Sequence, residues 1–256
     1  MIDTQVALPG KEARPRGGAF PSLTERLKEK FYGDREHPYQ TFERLIRESV
    51  TPRTVLLEAG CGRGAETLRR LARGVRTAIG IDLVDFPGPV RDASVHLCKN
   101  DVCGMALRDA SVDVVVARSV MEHLADPDAA YAEAARVLKP GGRFLFLTPQ
   151  LGDYGSICAK LIPNRWHPFV VKKVEGRDEQ DTFPVHYRTN TAGAIDRLAA
   201  RHGFRVESAR HLNQYPNYLM FNPLLFLLGT AYERITSRWE ALRGLRGWLL
   251  IALRKA

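Results

Sequence analysis

The stretch VLLEAGCGRGAET, residues 55–67, passes from an apolar run through three alternating glycines into a helix start. A turn of this kind at a strand's end lets a ligand lie against the main chain, because no Cβ intervenes and the helix N-terminus offers free amides. Two readings fail on spacing. A phosphate-binding loop G-x-x-x-x-G-K-[ST] needs a Lys after its last glycine, and none follows Gly64. A dinucleotide fingerprint needs G-x-G-x-x-G, whereas the glycines here are Gly60, Gly62 and Gly64. Glu58, just ahead of them, would repel a pyrophosphate and suits an ammonium group.

Around this stretch the sequence reads as a βαβ unit. RTVLLEAG is a strand, AETLRRLARG a helix closed by Gly74, and RTAIGIDL a second strand. VHLCKND, VDVVVARS and RFLFLTP read as further strands. DPDAAYAEAARVLK reads as a helix with Asp126 as N-cap and Pro127 at its first position. Strands and helices alternating in this way predict an α/β fold with a doubly wound parallel sheet, whose ligands sit beyond the carboxyl ends of the strands.

The flanks are read by composition. Residues 1–21, rich in Pro, Gly and Arg and without an apolar core segment, are expected to form a disordered tail ahead of a single domain over 22–256. LTERLKEKF and YQTFERLIRES place two helices as an N-terminal cap. Residues 150–190 break the rhythm with aromatics, prolines and charges and are expected to be a lid insertion. TAGAIDRLAARHGFRVESARHL is a helix capped by Thr191 and ended by Gly203, then a strand; GWLLIALRKA is a last strand, and residues 213–246 between them a helical insertion.

The net charge of +9 would suit an anionic partner, but Lys and Arg are spread along the 256 residues rather than clustered, which argues against nucleic acid. Cys61, Cys98, Cys103 and Cys158 form no C-x-x-C pair, so reduced thiols in a cytoplasm are expected and no metal site.

Asp82, twenty residues beyond Gly62, ends the second strand, where a carboxylate accepts hydrogen bonds from both hydroxyls of a ribose. A nucleoside with a cationic amino-acid tail fits both acids. The arrangement resembles the class I S-adenosylmethionine-dependent methyltransferases of small-molecule type, closely over residues 53–149 and loosely over 184–212. The resemblance implies a Rossmann-like seven-stranded sheet whose last strand is antiparallel, and S-adenosylmethionine as cofactor. It implies that Gly60, Cys61, Gly62 and Gly64 form the cofactor loop and that Glu58 helps hold the methionine amino group. It likewise implies ribose binding by Asp82, an adenine flanked by Leu83, and adenine contacts from Asp101 and the Val102 amide. Arg118 and Ser119 would lie near the methionine end. Asp101 also reads as an acid closing a turn.

Methyl transfer from a sulfonium is an in-line displacement with a neutral leaving group. Alignment can account for about 7–11 kcal/mol of barrier, whereas a general base typically gives about 10²–10⁴-fold, so a dedicated base is optional. His186, in FPVHYRTNT, is the first choice for one, because related enzymes carry a His at this place. His123, in MEHL, is the second, with helix capping or packing as its other reading. Tyr154, Trp166, His167 and Tyr187 are candidates to line the acceptor side.

The sequence ARSV replaces the [DN]-P-P-[YF] motif of nucleobase amino-methyltransferases, and no Asp/Asn metal cluster of the catechol type is present. A hydroxyl of a small-molecule, glycan or lipid-linked acceptor is favoured over an amine or a carbon. A non-catalytic cofactor-binding regulatory protein and an RNA methyltransferase are the alternatives. The apolar stretch 218–231 is too short to span a bilayer. Residues 219–246 are read first as an amphipathic helix packed on the sheet edge or closing the acceptor pocket. The second reading is a peripheral contact with the inner face of a membrane.

Overall fold

The computed structural model describes residues 21–86, 88, 93–156 and 183–256. The expected tail, most of the expected lid, Cys158, Trp166 and His167 lie outside the described residues.

Seven strands form one sheet: β1 (Val55–Ala59), β2 (Thr77–Asp82), β3 (Val95–Lys99), β4 (Val112–Arg118), β5 (Leu138–Pro149), β6 (Phe204–Leu212) and β7 (Trp248–Lys255). Their order is β3-β2-β1-β4-β5-β7-β6. β1 to β5 run parallel and β7 runs antiparallel between β5 and β6. The chain order reverses beside β1, so the carboxyl ends of β1 and β4 open a crevice at the switch point.

Among the described residues, helices α1 (Leu23–Tyr32), α2 (Pro38–Ser49), α3 (Glu66–Ala72), α4 (Pro127–Val137), α5 (Ala192–Arg201) and α6 (Pro223–Arg238) accompany the sheet. Local chemistry sets their starts. Ser22 and Glu25 form a capping box, Asp126 accepts from the Ala129 amide at 3.1 Å, and Thr191 accepts from Ala194 at 3.3 Å. Asn222 Oδ1 caps α6 by accepting from the Leu224 and Leu225 amides, with Pro223 in the first turn where its missing N–H costs nothing.

The sheet is sandwiched. Leu57, Val115, Phe144 and Phe146 pack against Tyr131 of α4 and Ile195 of α5. On the other face Leu56, Val116 and Leu145 pack against Phe42 and Ile46 of α2 and Leu68 of α3. One boundary differs from the sequence reading. β5 begins at Leu138 rather than Arg143, because Lys139–Gly142 bulge out between the pairings Val112↔Leu138 and Val114↔Arg143. α3 runs to Ala72 with Arg73 as C-cap, and the Gly74 amide bonded back to Leu71 closes it.

Candidate active site

The loop after β1 is held by the end of β2. The amides of Gly60 and Cys61 donate to Ile81 O at 2.8 and 3.2 Å, and the Gly62 amide donates to Asp82 Oδ2 at 2.8 Å. Gly60 and Gly62 adopt φ of +75° and +69°, the left-handed region that a side chain disfavours. Their surroundings differ. A Cβ on Gly60 would overlap the Val120 Cγ2 methyl, whereas a Cβ on Gly62 would meet no protein atom within 4 Å. Gly60 is therefore bare so that β4's exit can pack against it, and Gly62 is bare beside open space.

Asp82 Oδ1 also accepts from the Val84 amide at 3.2 Å, so two main-chain donors fix this carboxylate at the crevice edge. Leu83 stands 53% exposed beside it. Asp101 Oδ1 accepts from the Cys103 amide at 2.8 Å, so this acid does close a turn. The turn lies beside β2, since the Asn100 amide donates to Asp82 O at 2.8 Å, and Val102 is buried in the core.

Glu58 is buried on the α3 side of the sheet. Ala65, the N-cap of α3, has no capping side chain, and the Leu68 amide of the first turn favours the ionised form of the Glu58 carboxyl instead. Burial pushes the Glu58 carboxyl up to about 7, with Arg118 pulling it back. Its Oε2 has no hydrogen-bond partner among the described residues.

At β4's end, Ser119 adopts φ +54° and donates its amide to Leu147 O at 2.9 Å. α2 reaches this point. The Arg118 guanidinium lies 4.7 Å over the Tyr39 ring, and the Tyr39 hydroxyl is 3.5 Å from Ser119 Oγ. Tyr39 also meets Trp248 edge to face at 5.4 Å. Its neighbour His37, kept neutral by burial, accepts from the Tyr39 amide at 3.1 Å through Nδ1. The N-terminal cap thus covers the exit of β4.

Trp248 leads into a cavity of about 80 Å³ between β5, the loop after β6, and α6. Tyr154, Tyr187, Tyr215 and Tyr232 line it together with Asp153. Tyr154 and Tyr232 meet edge to face at 5.4 Å. Burial raises the Asp153 carboxyl to about 6 against the backbone amides of Tyr154, Gly155 and Ser156, which pull it down.

The two histidines flank one junction. The Glu122 carbonyl accepts from the His186 and Tyr187 amides at 2.7 and 3.1 Å, and the buried Glu122 carboxylate accepts from Thr148 Oγ1 at 3.1 Å. His123 Nδ1 is 2.9 Å from Pro184 O, and since a carbonyl only accepts, Nδ1 carries a proton there. The His186 ring is exposed and off the cavity lining. Among the described residues no group of His, Cys, Asp or Glu is placed to hold a metal.

Fold and loop together define a nucleoside-binding Rossmann-like site. Residues 57–146 match the family model described as a methyltransferase domain. A probable S-adenosylmethionine-dependent methyltransferase of Mycolicibacterium smegmatis is 34% identical over 81% of this chain and 71% of its own length. A malonyl-[acyl-carrier protein] O-methyltransferase of Serratia marcescens is 36% identical over 74% and 69%. In fold, a geranyl diphosphate methyltransferase complexed with GPP and sinefungin is similar at a TM-score of 0.55 and 16% identity, covering 84% of this chain and 77% of that one. The chain belongs to the S-adenosylmethionine-dependent methyltransferases. S-adenosylmethionine supplies a methyl group on a sulfonium; the unpartnered Glu58 oxygen and the open space at Gly62 fit a cationic, phosphate-free nucleoside.

Tyr39, Trp248, Asp153 and Tyr232 were not singled out by sequence reading. Tyr39 meets Ser119 across 80 residues of chain, and no local pattern encodes that.

Proposed function

We propose that this methyltransferase methylates a hydroxyl oxygen of a small-molecule, glycan or lipid-linked acceptor held in the tyrosine-lined cavity. The observation that carries the reading is the continuity of Ser119, Tyr39 and Trp248, which joins the exit of β4 to that cavity. The O-methyltransferase of Serratia marcescens adds support for oxygen as the acceptor atom.

In this reading Glu58 and the glycine loop hold the donor, with Asp82 on the ribose, Leu83 and the Asp101–Val102 turn at the adenine, and Arg118 and Ser119 at the methionine end. Tyr154 and Tyr187 hold the acceptor. A carboxyl that ionises near pH 6 inside the cavity is suited to take a hydroxyl proton, so Asp153 is the proposed base. His186 is the second proton acceptor, and His123, held by Pro184 O, positions the returning chain. The enzyme acts in the cytoplasm, at the inner membrane face when the acceptor is lipid-linked.

The test is formation of S-adenosylhomocysteine by the purified protein across hydroxylated, amino and carbon acceptors. Turnover with hydroxyl acceptors, the methyl recovered on oxygen, supports the reading; turnover with amines alone would replace it. Donor binding without turnover on any acceptor would favour the regulatory alternative.

A further inference from the structure

α6 is mounted with its apolar side outward. Its buried positions are Phe226, Gly229, Thr230, Glu233 and Thr236, mostly small or polar. Glu233 among them accepts from Tyr32 at 3.2 Å, Arg35 at 2.9 Å and Ser237 at 2.7 Å. The opposite stripe is exposed: Leu224, Leu228, Ala231 and Ile235 recur at i, i+4, i+7 and i+11, with Leu224 66%, Leu228 60% and Ile235 55% accessible. Phe221 before the helix and Trp239 after it are 75% and 61% exposed. A helix normally buries its apolar stripe, so this one is built to place that stripe against something else.

We propose that this stripe docks α6 flat on an anionic bilayer. A ridge of such exposed side chains fits a planar apolar phase, and the sixteen-residue helix lies about 24 Å long within it. Trp239 at the end of the helix suits the headgroup level. The charge matches an anionic surface. Arg238 shares the stripe's C-terminal end and makes no ion pair among the described residues, Arg243 follows it exposed and 3.6 Å from Glu240, and the protein as a whole carries +9. The inner face of the same helix lines the acceptor cavity through Gly229, Tyr232 and Glu233. Docking thus brings the cavity to the interface, where an amphiphilic hydroxyl acceptor partitions.

Co-sedimentation of the full chain with phosphatidylcholine vesicles, with and without phosphatidylglycerol, tests the docking. Binding should need the anionic lipid and weaken as salt rises. Leu228→Glu should lower vesicle affinity about tenfold or more, and Arg238→Glu should lower it selectively for anionic vesicles, with S-adenosylmethionine binding unchanged in both. Absence of sedimentation, or equal sedimentation of wild type and Leu228→Glu, would overturn the proposal. So would a dimer in solution that Leu228→Glu dissociates, because a second copy would then cover the stripe. Sedimentation involves no methyl transfer, so its failure leaves the proposed reaction standing.

Discussion

The Gly62 amide donates to Asp82 Oδ2 at 2.8 Å, which ties the glycine loop after β1 to the end of β2. The bond spans 20 residues and joins the two motifs of the sequence that point most directly to a nucleoside. Asp82 thus sets the loop as well as facing the crevice.

The two left-handed glycines should separate folding from binding. Gly60→Ala drives a methyl into Val120 and should cost about 1–3 kcal/mol of overpacking beyond the strain of a left-handed alanine. Gly62→Ala meets no protein atom and should cost only the strain, about 1–2 kcal/mol. Its methyl enters the ligand's space, so thermal scans should show a folded protein and calorimetry a steep loss of donor affinity. Full affinity in Gly62→Ala would move the ligand off this loop.

Glu58 should make donor binding proton-linked. With its carboxyl raised to about 7, the folded protein keeps a proton at pH 6 that the unfolded chain has released. The stability of the free protein therefore falls as pH rises from about 4.5 to 7. A cationic ligand reverses the preference and expels that proton. Calorimetry at pH 6 in buffers of different ionisation enthalpy should show proton release, fading by about pH 8.5. Glu58→Gln should abolish the release and weaken binding about 10–100-fold. Buffer-independent heats at pH 6 would rule out the pairing.

Asp153 should govern the pH profile. A base must be ionised to act, so kcat/KM should rise with pH through about 6 and level above it. Asp153→Asn should remove the rise and lower kcat by about 10²–10⁴-fold. His186→Asn should keep it. The reverse pattern would make His186 the base.

Glu233 should matter for stability. It is buried and takes hydrogen bonds from Tyr32 and Arg35, which lock the N-terminal cap to α6. Glu233→Ala leaves Tyr32 without that partner and should cost about 2–3 kcal/mol, lowering Tm by roughly 4–10 °C. An unchanged Tm would place the lock elsewhere.

The strands and caps were legible because their signals are local. β1, β2 and β4 are apolar runs, and Asp126, Thr191 and Pro223 mark helix starts by side-chain chemistry that acts over two or three residues. The acids at Glu58 and Asp82 were legible through their fixed offsets from the glycines. Other features depend on long-range packing. Asp153 is raised only because α6 and the loop after β6 bury it, and Tyr39 reaches Ser119 only because α2 folds over β4's exit. α6 is the sharpest case. Periodicity located the helix, but it cannot say which face turns inward, and here Glu233, Thr230 and Thr236 do.

The most direct test is calorimetry of S-adenosylmethionine and S-adenosylhomocysteine against the wild-type protein and Asp82→Ala. Both nucleosides should bind the wild type, and Asp82→Ala should lose affinity about 100-fold or more, because it removes both the ribose acceptor and the anchor of the Gly62 amide. Equal affinity in the two proteins would contradict the placement of the donor at the ends of β1 and β2.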